Sequence, residues 1–238
     1  MTDPLTIVVH GESGVGKSWL ADTTPAPRLI LDVEGGIRFT PSAKVTWDPR
    51  VAPPADAETV VVPVRDLASV QAAYQWLNAG KHPFRSVVID SLTEMQKRAV
   101  DQIAGTSAMK LQDYGELLRK MEGMVRAFRD LTMHPVKPLG CVAYVCGTAE
   151  QGQENPVLRP ALIGKLAVSL PYYVDVVAYM TAAAGADGAV ERTALFAPLG
   201  GIVAKDRTGR LGVTMAGPSI PKILQAVYGA TPQKEDAE

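Results

Sequence analysis

The stretch His10–Trp19, HGESGVGKSW, contains the spacing G-x-x-x-x-G-K-[ST], which is filled by Gly11, Gly16, Lys17 and Ser18. Glycines let a backbone curl so that several N–H groups point inward at one anion. In such a loop the lysine reaches the β- and γ-phosphates of a nucleotide, and the hydroxyl binds Mg²⁺. The stretch therefore predicts a phosphate site made of Gly11, Glu12, Ser13, Gly14, Val15, Gly16, Lys17, Ser18 and Trp19.

A second candidate, Asp90, ends the apolar run Ser86–Asp90 (SVVID). Ligands of open α/β sheets lie at the carboxyl ends of the strands, so we expect Asp90 to lie beside the Mg²⁺ that Ser18 binds. Asp90 or Ser91 could also cap a helix over Leu92–Ile103. The two roles are compatible.

Three carboxylates are candidates for orienting or deprotonating an attacking water. Asp32 and Glu34 follow the apolar run Arg28–Val33, and Glu12 lies inside the phosphate loop. We favour Glu34, because it lies just beyond the strand and before two glycines, and nucleotide hydrolysis needs a carboxylate near the γ-phosphate. Asp32 could support Mg²⁺ or the loop, and a solvated acidic turn is the alternative interpretation.

Polar residues also follow the apolar run Cys141–Cys146. Thr148, Glu150 and Gln151 are all candidates for sensing the γ-phosphate, and ordinary polarity at a strand end explains them equally well.

These residues need a sheet to bring them together. Apolar, strand-like runs alternate with segments of helical periodicity, which predicts an α/β fold with a mostly parallel sheet. The strands are predicted at Leu5–Val9, Arg28–Val33, Thr59–Val64, Ser86–Asp90 and Cys141–Cys146, and the helices at Asp66–Asn78, Leu92–Ile103 and Asp113–Met133.

In the last third of the sequence, strand-like runs flank short turn segments, which predicts antiparallel hairpins that extend the parallel core. One hairpin joins Val174–Ala182 to Val190–Ala197, and a second joins Gly201–Lys205 to Leu211–Met215. A short helix is predicted at Ser219–Tyr228. We expect one domain over residues 1–229 and a disordered acidic tail over residues 230–238.

Composition limits the classes of protein and the cellular compartments that fit the chain. The chain has 238 residues, 47% of them hydrophobic, and a net charge of −1, which argues against a globally basic nucleic-acid coat. No apolar run is long enough to span a membrane, and the N-terminus lacks the basic region of a signal peptide. Cys141 and Cys146 have an odd spacing on one predicted strand, so they should not pair, and a reducing cytoplasm fits.

In order and spacing, the motifs GESGVGKS, LDVEGG, VVIDSLTEM, LPYYVDVVAYM and AKDRTG resemble the RecA-like core ATPases. More narrowly, the chain resembles the small phage ATPases of the Sak type, which are linked to single-strand-annealing recombination. The resemblance implies a RecA-like P-loop core that binds ATP with Mg²⁺. It also implies that Glu34 activates water and that Lys205 and Arg207 act at the ATP site of a neighbouring subunit. A solvated basic turn is the alternative for the last two.

The resemblance further implies single-stranded DNA as a partner, in a homo-oligomer with ATP sites at subunit interfaces. The DNA loops of this fold map onto residues 105–114 and 150–164, whose neighbourhood supplies Lys110, Arg159 and Lys165 as phosphate contacts. A single-strand-binding protein is a further expected partner, and a membrane is not. Two other functions stay open: a P-loop kinase of a small acceptor, and a nucleotide-switched module that recruits a single-strand-binding protein.

Overall fold

The computed structural model describes residues 4–152 and 156–229; the predicted tail, residues 230–238, lies outside them. The strands of the described part are β1 (Leu5–Gly11), β2 (Arg28–Asp32), β3 (Val45–Thr46), β4 (Thr59–Pro63), β5 (Ser86–Asp90), β6 (Cys141–Cys146), β7 (Thr148–Gln151), β8 (Val157–Pro160), β9 (Val176–Ala184), β10 (Val190–Leu195), β11 (Lys205–Asp206) and β12 (Thr214–Ala216). Its α-helices are α1 (Lys17–Ala21), α2 (Leu67–Asn78), α3 (Leu92–Ala104), α4 (Leu111–Asp130), α5 (Leu166–Tyr173) and α6 (Ile220–Tyr228). Short 3-10 helices cover Gly36–Phe39 and Leu131–Met133.

One large sheet organises the chain, with the strand order β12-β10-β9-β1-β6-β5-β2-β4-β3. The strands from β9 across to β3 run parallel to one another, while β10, β11 and β12 pair antiparallel at the C-terminal side. Strands β1, β5 and β6 are buried along their whole length, which is why they appear in the sequence as continuous apolar runs. The predicted fold class, a mostly parallel α/β sheet with C-terminal antiparallel strands, is confirmed.

Helices cover both faces of this sheet. Apolar side chains of α2, α3, α4 and α5 pack on one face, and those of α1 and α6 pack on the other. Cys141 and Cys146 point to opposite faces and are both free thiols, as their spacing predicts. Among the described residues, none of the helices has the length and apolarity needed to cross a membrane.

The C-terminal strands confirm one predicted hairpin and correct the other. Strands β9 and β10 form the first hairpin. The second prediction is wrong, because β11 pairs with the start of β9 and β12 pairs with the outer edge of β10. Each segment forms hydrogen bonds with a strand edge that would otherwise lack a partner. Asp206 closes the turn between them by accepting the N–H groups of Thr208 and Leu211 at 2.8 Å each.

Other elements also differ from the sequence prediction. Helix α5 is absent from the prediction, because it contains Pro171 and has no clear amphipathic period. The expected loop after β6 instead contains a two-stranded antiparallel hairpin, β7–β8, in which Ala149 lies opposite Arg159. This hairpin projects from the carboxyl edge of the sheet, directly beside the residues considered next.

Candidate active site

A cleft of about 530 Å³ opens at the carboxyl edge of β1, between that strand and its neighbour β6. Its walls come from the phosphate loop, the ends of β5 and β6, and the residues after β2. The lining residues are Gly11, Glu12, Ser13, Gly14, Gly16, Lys17, Ser18, Trp19, Glu34, Gly36, Asp90, Ser91, Thr93, Val145, Gly147, Thr148 and Arg192. The fold thus brings most of the predicted nucleotide and metal residues into one cavity.

The phosphate loop is fixed at its start, where Gly11 meets β9, and at Val15, which packs into the core. Gly11 lies so close to β9 that a Cβ there would stand 2.5 Å from the carbonyl oxygen of Met180, so no larger residue fits without displacing backbone. Val15, which the sequence placed among the nucleotide residues, turns its side chain into the core, so only its backbone is available to a ligand.

Lys17 begins α1 and folds back over the loop. Its Nζ donates to the carbonyl oxygens of Gly11 at 2.9 Å and Glu12 at 2.6 Å. Burial lowers the pKa of Lys17, while the nearby carboxylates of Asp90 and Glu34 oppose that shift. A partly desolvated ammonium surrounded by acceptor oxygens is a cation well prepared to bind a phosphate group.

Ser18 and Asp90 together provide the donors expected of a Mg²⁺ site. Burial raises the pKa of Asp90 to about 6, and a hydrogen bond from Ser18 opposes the shift. Asp90 Oδ2 is buried and has no protein partner among the described residues. A hydroxyl beside a carboxylate with one uncommitted oxygen is the oxygen-only ligand set that Mg²⁺ prefers. These two residues therefore fit the ion.

The structure distinguishes among the three candidate carboxylates. Asp32 accepts the N–H of Gly35 at 2.8 Å and thereby closes the turn that carries Glu34, and it does not line the cleft. Glu34 does line the cleft, and its Oε1 accepts a hydrogen bond from the hydroxyl of Ser91. Ser91 also caps α3 by accepting the N–H of Glu94 at 3.1 Å, as its position after β5 predicts.

Of the three polar residues after β6, Thr148 lines the cleft and Glu150 and Gln151 do not. Thr148 Oγ1 lies 2.8 Å from Nδ1 of His10, and Nε2 of His10 lies 2.7 Å from the carbonyl oxygen of Val203. Burial lowers the pKa of His10 to about 4, with a smaller contribution from the charge of Lys17, so the ring is neutral at pH 7. Because a carbonyl can only accept, Nε2 carries the proton and Nδ1 accepts from the Thr148 hydroxyl.

Sequence reasoning missed one cation of the cleft, Arg192 of β10. A Cβ built on Gly16 would stand 2.4 Å from Arg192 Nε, so the guanidinium packs directly on the phosphate loop. Its Cζ lies 5.5 Å from the ring centre of Trp19. No sequence signal marks Arg192, because it belongs to an ordinary strand that reaches the loop through β9.

The remaining predicted site residues lie outside the cleft. Lys205 Nζ donates to the carbonyl oxygens of Pro171 and Val174 at 2.7 Å each, at the C-terminal end of α5. Arg207 is paired with Asp175 at 2.8 Å, yet its side chain stays 54% exposed. Of the predicted DNA contacts, Lys110 and Lys165 are exposed caps of α4 and α5, and Arg159 is half-buried in β8.

The phosphate loop at the end of β1, with the hydroxyl of Ser18 hydrogen-bonded to Asp90 beside it, is the arrangement of a P-loop ATPase domain. The chain belongs to the AAA domain family AAA_24, whose model matches residues 3–208. The family and the geometry of the cleft agree on nucleotide binding at the phosphate loop.

Solved structures give weaker similarities. An ATPase from the type III secretion system of pathogenic bacteria is 15% identical with a TM-score of 0.43, covering 75% of this chain and 52% of that one. The chain thus spans about half the length of that ATPase. The flagellar accessory protein FlaH from Methanocaldococcus jannaschii is 10% identical with a TM-score of 0.36, covering 81% of this chain and 78% of that one. A search of curated protein sequences gave no match.

Proposed function

We propose that the protein is a Mg²⁺-dependent ATPase that acts on single-stranded DNA in strand annealing or homologous recombination, as the Sak-type phage ATPases that its motifs resemble do. The observation that carries the DNA part is the position of Thr148. This residue lines the nucleotide cleft and is also the first residue of the β7–β8 hairpin, whose second strand carries Arg159.

The hydrolytic part rests on residues of the cleft. Lys17 binds the β- and γ-phosphates in place of the two loop carbonyls that it now contacts. Ser18 and the uncommitted oxygen of Asp90 would hold Mg²⁺, which when bound neutralises phosphate charge. Glu34, oriented by Ser91, accepts the proton of the attacking water.

A single hydroxyl connects this chemistry to the hairpin. Thr148 Oγ1 lies 2.8 Å from His10 Nδ1 and 3.2 Å from the carbonyl oxygen of Arg159, and it has one proton to donate. His10 directly precedes the phosphate loop, while Arg159 lies opposite Ala149 in the hairpin. DNA that moves the hairpin would redirect this hydroxyl, and nucleotide that recruits the hydroxyl would remove its contact with the hairpin. This shared contact supports DNA stimulation of the ATPase.

The direct test is the ATPase rate with and without a single-stranded oligonucleotide. We expect strong stimulation. Transfer of phosphate to a small metabolite would instead identify a kinase, and tight ATP binding with negligible turnover would identify a nucleotide-switched module. Either of those results would refute the DNA-dependent ATPase.

The DNA surface is tested by charge removal at Arg159 and Lys165. The double change Arg159→Gln and Lys165→Gln should weaken oligonucleotide binding and lower its salt slope by about one unit per lost phosphate contact. ATP affinity without DNA should stay unchanged. Arg50→Gln, at an exposed arginine that follows the edge strand β3, is the matched control. An unchanged salt slope would place the DNA site elsewhere, first on the basic face of α4.

We also propose that Arg207 completes the ATP site of a neighbouring subunit. Lys205 pairs with Val177 near the start of β9, whereas the phosphate loop follows the residue of β1 that pairs with Met180. Val177 and Met180 lie three residues apart on β9, a distance of about 10 Å, so Lys205 and Arg207 lie away from the phosphate loop of their own subunit. Lys205 is held by two carbonyl oxygens as a helix cap, so the exposed Arg207 is the better candidate for contact in trans.

Mixing two inactive variants tests this assembly. Lys17→Ala lacks a working phosphate loop and Arg207→Ala lacks the trans cation, so each alone should be nearly inactive, since such an arginine contributes about 10³–10⁵ in rate. In mixed oligomers some interfaces combine an intact loop with an intact arginine, and partial activity should return. Specific activity of the wild type should also rise with protein concentration. No recovery despite demonstrated mixed assembly would contradict the trans role.

A further inference from the structure

Arg192 contacts the phosphate loop from the side opposite to the catalytic carboxylate. In the sheet order β10-β9-β1-β6-β5-β2, Arg192 comes from β10, on one side of β1. Asp90, Thr148 and the Glu34 turn follow β5, β6 and β2, on the other side. Strand β9 extends past Met180, its last pairing with β1, as far as Ala184. The β9–β10 hairpin therefore extends beyond the end of β1 and places Arg192 over the phosphate loop.

The guanidinium group is confined between two surfaces. On one side it packs against Gly16, where an added Cβ would lie 2.4 Å from Nε and 2.8 Å from Cδ. On the other side Cζ lies 5.5 Å from the ring centre of Trp19, at cation–π distance. Arg192 is half-buried, so its side chain has already lost much of its freedom and hydration.

In the part of the chain that the structure describes, the charge of Arg192 has no partner of opposite sign. Within residues 4–152 and 156–229, no carboxylate forms an ion pair with it, and its buried Nε lacks a hydrogen-bond acceptor. The carboxylates of Asp90, Glu34 and Glu12 instead act on Lys17. A partly desolvated cation without an acceptor is costly unless an anion binds there.

We infer that Arg192 binds the α- and β-phosphates of the nucleotide held by its own subunit. The inference rests on nucleotide binding in the cleft and on Glu34 as the proposed base, and it is independent of DNA. The γ-phosphate must lie on the side of Glu34, where water attacks, so a cation on the opposite side of the loop faces the inner phosphates. A guanidinium fork suits this task because it can donate two parallel hydrogen bonds to phosphate oxygens.

Equilibrium binding of Mg²⁺-free ATP, ADP and adenosine tests the inference. Arg192→Gln should weaken ATP and ADP by the same factor, about 10- to 100-fold, and leave adenosine unchanged. Arg192→Lys, which keeps the charge but loses the fork, should lie between. Arg126→Gln, at an exposed arginine of α4 outside the cleft, is the control. Trp19, 48% exposed and in contact with Arg192, supplies a fluorescence signal that Trp19→Phe should remove.

The outcomes separate this inference from the nucleotide site itself. If wild type binds both nucleotides and Arg192→Gln binds them equally well, Arg192 is not a phosphate ligand. Loss of ATP affinity with ADP affinity intact would place the residue at the γ-phosphate and overturn the assignment. Equal losses for ADP and adenosine would indicate a structural role for the stack on Trp19. Failure of the wild type to bind any nucleotide would refute the site as a whole.

Discussion

Replacing Glu34 by glutamine tests the proposed proton-accepting role of this residue. Glutamine keeps the size of the side chain and the oxygen that accepts from Ser91, so the loop geometry and ATP binding should survive. It removes the base, and general-base catalysis contributes about 10²–10⁴ in rate. We therefore expect hydrolysis to fall at least about 100-fold, equivalent to about 2.7 kcal/mol of barrier, while the Kd for ATP stays within a few-fold.

Ser91 gives an internal check on the same mechanism. Ser91→Ala removes the hydrogen bond to Glu34 and the cap of α3, so the rate should fall about 10-fold and the free energy of unfolding by about 1 kcal/mol. If Ser91 acts on the rate only by orienting Glu34, the double variant should be no slower than Glu34→Gln alone.

The assay is phosphate release at saturating ATP, paired with equilibrium ATP binding and urea unfolding of each variant. Glu12→Gln is the matched control, because Glu12 also lines the cleft and is exposed. If Glu12→Gln loses hydrolysis while Glu34→Gln keeps it, Glu12 is the base and the geometric argument for Glu34 is wrong.

Three other variants test separate parts of the molecule. Lys17→Ala should abolish ATP binding with the fold intact, since it removes the loop cation; near-normal turnover of the folded variant would exclude this role. Tyr144→Phe should lower the free energy of unfolding by about 1–2 kcal/mol, because the fully buried hydroxyl donates to the carbonyl oxygen of Val125 at 2.7 Å; an unchanged urea midpoint would contradict this. Burial, more than the charges of Lys137 and His134, lowers the pKa of His82 to about 4, below its unfolded value of about 6.5. The contribution of the neutral ring to stability is therefore complete above pH 6.5 and is lost progressively as the pH falls to 4. Unfolding free energies measured at pH 7 and pH 5 should therefore drop less for His82→Leu than for wild type, and equal drops would refute the lowered pKa.

The nucleotide loop and the parallel core were predictable because their signals are local. Gly11, Gly16, Lys17 and Ser18 are contiguous or nearly so, and the strands β1, β5 and β6 are buried on both faces, which leaves unbroken apolar runs in the sequence. Asp90 followed from the same logic, because the last residue of a parallel strand lies at the edge where ligands bind.

Long-range contacts decided the rest. The sequence left Thr148, Glu150 and Gln151 equivalent, and only the path of β7 away from the cleft separates them. The misassigned second hairpin has the same origin, because β11 and β12 pair with edges of β9 and β10 instead of with each other.

The arginine and lysine side chains show the limit most clearly. The function of a cation depends on the groups that surround it, and these come from elsewhere in the chain. Lys205 donates to carbonyl oxygens at the end of α5, whereas Arg192 packs against Gly16, which is far away in sequence. The amino-acid sequence alone determined the predicted phosphate loop and the strand that precedes it. The tertiary structure decided which charged side chains reach that loop, because the strand order β10-β9-β1 places β10 within reach of it.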